Sequence, residues 1–240
     1  QTIKKQNRIA WNFLWILWVC FVFVLWIIVV NNLNLLQFEI TSSKLTQEEI
    51  DLTREEIELI EDEDKKLIRR AFSIASKPSQ KNILDLCIKI LPDGRLSSRL
   101  ANLPLKSFVS MQGPYGKFVL QEDHNKQLLF LAAGTGIAPL RSMIHDLLEK
   151  GCDKQITLVF GFHAPSDQLY KEELEQLQKQ HDNFTIISIC STPNDKWTQK
   201  TGYVQDHLKE LFPNCEEVDA YLCGPPKMVA QTIAVLRKLN

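Results

Sequence analysis

At 240 residues, 45% of them hydrophobic, the chain has material for one large or two modest domains with sizeable cores, and its 9 Gly and 10 Pro exclude collagenous and disordered classes. Lys plus Arg (28) nearly balance Asp plus Glu (29), so the net charge of −1 removes the clustered positive charge that nucleic-acid binding needs. The average hides two patches: four of the five Trp lie between Trp11 and Trp26, and residues 48–66 hold ten acids against three bases.

The first element is an apolar run. From Ile9 to Val30 only Asn12 is polar, and about 20 apolar residues at 1.5 Å each match a hydrocarbon layer of roughly 30 Å, so a single transmembrane helix is expected over 9–30. Lys4, Lys5 and Arg8 precede it and only Lys44 follows closely, which by the positive-inside tendency points the N-terminus to the cytoplasm and sends the rest outside. Residues 45–66 then read as polar and helix-prone, with capping-box spacings at Thr46/Glu49 and Thr53/Glu56, or as a strand at Glu58–Glu61 leading into a turn. The acidic run itself fits a solvated face.

Short strands are expected at Phe72–Ala75, Leu84–Ile90 and Phe108–Met111, separated by turn residues as in a small antiparallel barrel. The texture changes after the polar stretch Gln121–Lys126. Strands at Leu128–Ala132, Ile156–Gly161, Phe184–Ile189 and Ala220–Cys223 alternate with helices at Pro139–Glu149, Asp167–Lys179, Val204–Leu211 and Lys227–Leu239, the pattern of a parallel sheet with covering helices. The expected organisation is a membrane segment (1–32), a barrel (33–122) and an α/β domain (123–240).

Cysteines 20, 87, 152, 190, 215 and 223 contain no C-x-x-C, and histidines 124, 145, 163, 181 and 207 are scattered, so no disulfide framework, resident metal or haem-ligating pair is expected. A reducing compartment is the simplest reading of the cysteines. Gly134-Thr135-Gly136 ends an apolar strand, and Pro139 suits the first turn of the helix after it. Such a turn aims free N–H groups and a helix dipole at an anion, although glycine turns also serve as plain connections. Tyr221-Leu222-Cys223-Gly224-Pro225-Pro226-Lys227-Met228 repeats the strand, turn and helix design, and both turns fall at carboxyl ends of parallel strands, where such sheets bind ligands.

With Arg70-Ala71-Phe72-Ser73, Gly94-Arg95-Leu96-Ser97-Ser98 and Gly113-Pro114-Tyr115-Gly116-Lys117-Phe118 before them, these turns resemble the ferredoxin-NADP reductase superfamily from Lys66 to Asn240, five motifs in order. The resemblance implies a flavin-binding barrel joined to a Rossmann-like nicotinamide domain, with FAD and NADH or NADPH as cofactors. It implies that Arg70 pairs with the flavin pyrophosphate, Phe72 packs on the flavin and Ser73 hydrogen-bonds near its reactive nitrogen. Gly94, Ser97 and Ser98 then form a second pyrophosphate clamp, or else a polar turn capping a helix. Gly134, Thr135, Gly136 and Pro139 are assigned to the nucleotide, and Cys223, Gly224, Pro225 and Met228 to the nicotinamide pocket. Cys223 would sit beside the carbon that gives up hydride, or is a small buried thiol at a strand end.

Departures from the family pattern shape the expectation. Gly161-Phe162-His163, followed by Asp167, Tyr170 and Glu173, matches the region beside the adenosine half, but His163 stands where Arg is usual and Ser191-Thr192 also lacks Arg. Without a bidentate donor a 2′-phosphate loses its charge-assisted partner, which favours NADH slightly. The P-G-Q-[FY] turn expected before Arg70 is missing, so a shortened, incomplete barrel is expected. The leading expectation is an NAD(P)H-dependent flavin oxidoreductase tethered to a membrane, its domains in the cytoplasm because the supply of nicotinamide cofactor there outweighs the local Lys and Arg count, passing electrons to a separate acceptor. A membrane-anchored subunit that has lost flavin, and part of a multi-span ferric or haem reductase, are the alternatives.

Overall fold

The computed structural model describes residues 24–29, 35–41, 68–105, 107, 109, 111, 113–121, 127–213, 215 and 218–239. Among them, three antiparallel strands form the first sheet: β1 (Val24–Val29), β2 (Leu35–Thr41) and β3 (Ile83–Cys87), in that order across the sheet. Val24 lies opposite Thr41 and Val29 opposite Leu36, while Leu35 lies opposite Cys87.

This corrects the expected membrane helix over 9–30, whose last residues form β1. Val24-Leu25-Trp26-Ile27-Ile28-Val29 is apolar throughout and rich in β-branched residues, and a run of that make-up serves a strand as well as a helix. Residues 1–23, the helix-prone and acidic stretch 45–66, and residues 122–126 of the expected boundary lie outside the described residues. No helix among the described residues is long and apolar enough to cross a membrane.

The first unit's core follows strand alternation. Leu86 and Ile88 are buried with Leu100 and Val109, and Leu84 and Ile90 pack against them, so alternate residues share one face. Cys87 faces the opposite way, into the core of the second unit, and Ala75 joins it there. The strand expected at Phe72–Ala75 is reduced to one bridge, Ile74 with Leu86; Phe108 of the third expected strand lies outside the described residues. A short helix, α1 (Ser97–Asn102), completes this unit.

The second unit is a five-stranded parallel sheet in the order β7-β6-β5-β4-β8. Its elements follow in chain order: β4 (Gln127–Ala133), α2 (Ile137–Glu149), β5 (Ile156–Phe162), α3 (Lys171–Gln180), β6 (Phe184–Cys190), β7 (Lys200–Thr201), α4 (Val204–Leu211), β8 (Val218–Cys223) and α5 (Pro226–Leu239). Leu128, Phe130 and Ala132 of β4 pack under α2 and α3 on one face of the sheet. Leu129 and Leu131 pack under α4 and α5 on the other. Burial on both faces is why β4 reads as an unbroken apolar run, and each large side chain removed from water there contributes about 1.5–3 kcal/mol. α3 begins at Lys171, after the expected Asp167, because residues 165–167 form a 3-10 turn and Tyr170 takes a left-handed φ of 56° that the helix cannot continue.

Strand order reverses beside β4: the chain moves from β4 to β5 and β6 in one direction, then returns to place β8 on β4's other side. Such a reversal opens a crevice at the carboxyl ends of the strands.

Candidate active site

Gly134–Gly136 and Cys223–Gly224 meet in that crevice. Ala132 lies opposite Cys223 in the β4–β8 register, which brings the two turns side by side. A Cβ on Gly136 would collide with the Cys223 carbonyl and lie 2.7 Å from the Gly224 nitrogen, so only glycine allows the turns to touch. Gly224 is less tightly confined: its Cβ would lie 2.7 Å from the movable Met228 Cε and 3.2 Å from Ala133. Gly134 differs, with a left-handed φ of 54° and nothing within 4 Å of where a side chain would sit. Its constraint is backbone conformation, and the space before it is open to a ligand.

The structure therefore brings Gly134, Thr135, Gly136, Cys223, Gly224 and Met228 together at one strand-end crevice. Pro139 is buried under α2's first turn, Met228 is buried, and Pro225 is exposed. Cys223 is half-buried, and burial pushes its thiol above the ordinary range. Burial likewise raises the Cys87 thiol to about 11. Both thiols stay protonated at neutral pH, which suits a site that uses no sulfur nucleophile.

At the ends of β5 and β6, His163 Nδ1 lies 3.3 Å from Ser191 Oγ and 3.2 Å from Thr192 Oγ1. These three polar groups border the expected adenosine half and hold no fixed cation. Lys200 is turned away, its Nζ on Glu210 at 2.8 Å. Tyr170 and Glu173 instead pack against and bond the Arg141 side chain of α2.

In the first unit Arg70, Phe72 and Ser73 lie in one exposed stretch, and the Arg70 guanidinium donates to the Arg69 carbonyl at 2.8 Å. Ser97 and Ser98 are engaged inside their own turn. Ser97 Oγ accepts the Leu91 N–H at 3.2 Å, and the Ser98 hydroxyl donates to the Gly94 carbonyl. A Cβ on Gly94 would collide with Ser97 Oγ, so this glycine shapes the turn.

The two units meet through Arg141, which the sequence reading does not single out, and through residues to which it gives other roles or none. Arg141 of α2, only 9% exposed, donates from Nε and Nη2 to the two Glu173 oxygens, each at 2.7 Å. Its Nη1 donates to the Ala75 carbonyl at 2.5 Å and lies 3.5 Å from Asp85 Oδ2. The Tyr170 ring sits beneath, 4.6 Å from the guanidinium carbon, and His145 Nε2 lies 2.8 Å from Glu173 Oε1. The signal was available: Arg141 stands between Ile137 and Ile144 on the buried stripe of an otherwise apolar helix face. A second junction joins Tyr221 of β8, stacked on Phe130 at 5.2 Å, to the Gln121 N–H at 3.1 Å and to the Phe118 edge at 6.4 Å.

A parallel sheet with glycine turns at its switch point, joined to an antiparallel unit carrying an exposed Arg-x-Phe-Ser, is the arrangement expected of paired nicotinamide- and flavin-binding domains. The family comparison agrees: the oxidoreductase FAD-binding domain matches residues 27–120 and the oxidoreductase NAD-binding domain residues 130–233. The chain carries the FAD-binding and NAD-binding oxidoreductase domains typical of the ferredoxin-NADP reductase superfamily.

Among similar proteins, the phenol hydroxylase P5 protein of Acinetobacter pittii is 36% identical over 171 residues, 70% of this chain and 48% of its own length. One component of the Na(+)-translocating NADH-quinone reductase of Serratia proteamaculans is 34% identical over 187 residues, 71% of this chain and 46% of its own. The chain thus spans about half the length of these relatives. In fold, an Amycolatopsis cytochrome P450 reductase matches with TM-score 0.76 at 19% identity, over 91% of this chain and 66% of that one. The cytochrome b5 reductase domain of Ulva prolifera nitrate reductase matches with TM-score 0.71 at 21% identity, over 91% and 92%.

Proposed function

We propose that this chain is the reductase module of an electron-transfer system, taking a hydride from NADH or NADPH onto FAD and passing the electrons to a separate acceptor protein. The carrying observation is the backbone contact between Gly136 and Cys223–Gly224 at the switch point, with open space before Gly134. That cradle fits a dinucleotide: Gly134, Thr135 and Gly136 would hold its pyrophosphate, and Cys223, Gly224 and Met228 would border its nicotinamide. Arg70, Phe72 and Ser73, all exposed, would hold FAD, with Gly94, Ser97 and Ser98 as a second clamp once the two hydroxyls turn from their own loop. FAD when bound supplies the conversion of a two-electron donor into transferable electrons, and the protein's part is to hold and orient.

NADH is the favoured donor, because His163, Ser191 and Thr192 offer hydroxyl and imidazole groups in place of a guanidinium for a 2′-phosphate. The apolar residues that remain before β1, 9–23, support attachment to a membrane, with the domains on the cytoplasmic side where nucleotide is supplied. At 1.5 Å per residue they fall short of the roughly 30 Å of a full span.

The test is an anaerobic absorption spectrum of the purified full chain, before and after NADH. The expected outcome is a bound-flavin spectrum bleached by NADH. A chain that takes up no FAD when reconstituted is instead a flavin-free interaction subunit, and one that binds FAD but resists both nucleotides is no NAD(P)H reductase.

A further inference from the structure

We propose that Arg141 is a positioning residue that sets the spacing between the segment carrying the flavin motif and the nicotinamide-binding turns, an inference that rests on the reductase reading above. Its side chain joins the segment just after the flavin motif, β3 and two elements of the nucleotide domain. Nη1 holds the Ala75 carbonyl, two residues beyond Ser73, and faces Asp85 of β3. Nε and Nη2 hold Glu173 of α3 as a fork, and Tyr170 supports the guanidinium face.

Little slack lies on either side of this clamp. Arg141 is five residues past Gly136 on the helix that opens at the nucleotide turn, about 7.5 Å along the axis at 1.5 Å per residue. Ala75 is two residues past Ser73, about 6.6 Å of extended chain. A shift at the guanidinium therefore reaches both binding elements nearly undiminished. The geometry uses the planar fork as well as the charge, because Glu173 takes two parallel N–H groups while a third points the other way to Ala75. A lysine offers one compact head that cannot satisfy both sides. Tyr170 is held in its left-handed conformation with its ring buried against Arg141, so the support beneath the fork is itself fixed.

The reaction served is transfer of a hydride, two electrons and a proton, from the nicotinamide to the flavin, leaving oxidised nucleotide and reduced FAD. Its rate depends steeply on ring spacing, whereas binding of each cofactor draws on its own domain. Arg141→Lys and Arg141→Met should therefore leave the dissociation constants for FAD and NAD+ within about threefold of wild type. In anaerobic single-turnover mixing the reduction rate at saturating NADH should fall about 10- to 100-fold. The long-wavelength charge-transfer absorbance that stacked nicotinamide and flavin rings produce should fall with it. In the cofactor-free chain, amide exchange over residues 83–88 and 170–177 should quicken, a readout that does not depend on flavin.

Wild type that binds no FAD, or is not reduced by NADH, refutes the reductase reading. Wild type that is reduced, with Arg141→Lys reduced as fast and its charge-transfer band intact, overturns the positioning role, since charge alone would then suffice. If the Arg141 variants fail to fold, Glu173→Gln removes one arm of the fork with the arginine in place. A wild-type rate and band in Glu173→Gln overturns the proposal in the same way.

Discussion

Substituting Gly136 by alanine tests whether the two turns of the nucleotide crevice are locked by backbone contact. The new Cβ would lie 2.7 Å from the Gly224 nitrogen and closer still to the Cys223 carbonyl. Comfortable separations begin near 3.5 Å and the Cys223 carbonyl carbon would lie at 2.5 Å, so the turns must part by at least about 1 Å. The opposing atoms are main chain, and no rotamer change can absorb the overlap. Overpacking of this kind costs about 1–3 kcal/mol. At about 2–4 °C per kcal/mol for a chain of this size, the melting temperature should fall by about 2–12 °C. Parting the turns also spoils the cradle, so NAD+ affinity measured calorimetrically should fall about tenfold or more, a loss of at least about 1.4 kcal/mol. FAD affinity should be unchanged, because the flavin elements lie on the other unit. A Gly136→Ala protein that melts with wild type and binds NAD+ as tightly would refute the argument.

Acid should weaken the junction between the units. Burial acts to raise the Glu173 carboxyl, but the hydrogen bonds from His145 and Arg141 and their charges outweigh it and hold the group down at about 2. A carboxyl whose folded value is depressed contributes stability above its unfolded value, about 4.3, and loses it as pH falls toward 2. With Glu173 34% exposed, solvent screening reduces this to about 1–2 kcal/mol. Unfolding free energy should therefore drop between about pH 4.5 and 2 in wild type and less in Glu173→Gln; parallel curves would remove Glu173 from the account. Tyr221→Phe keeps the stack on Phe130 but deprives the Gln121 N–H of its acceptor, and should cost about 0.5–1.5 kcal/mol in denaturant titration. No loss would mean that solvent satisfies that N–H equally well.

The nucleotide half was the more legible in the sequence because its signals are local. An apolar run buried on both faces, a glycine turn and an amphipathic helix repeat along residues 127–239, and the expected helix at Val204–Leu211 agrees with the structure to the residue. The barrel half was less legible. Its strands are short and far apart in sequence: β2 pairs with β3 across more than forty residues, and the apolar run containing β1 has no alternation to separate strand from membrane helix. At the site, the contact of Gly136 with Cys223 was implied by two turns at parallel strand ends. The Arg141 clamp was not, because its partners Ala75, Asp85 and Glu173 come from three separate elements and only the fold brings them together. The family pattern puts Tyr170 and Glu173 on the adenosine side, whereas their side chains hold Arg141 at the junction.

The placement of β8 has a consequence for how the protein becomes functional as it is made. The two walls of the nucleotide crevice, at Gly136 and Gly224, are 88 residues apart in sequence (224 − 136), and β4 stays an open strand edge until β8 docks against it. Contacts of such long range form late, after β5, β6 and their helices have assembled. During synthesis the flavin elements emerge well before the nucleotide crevice can exist, since domains form from the N-terminal side. A nascent chain can thus acquire its flavin elements before it can accept a hydride donor, and competence to bind NAD+ marks the moment at which the sheet is complete.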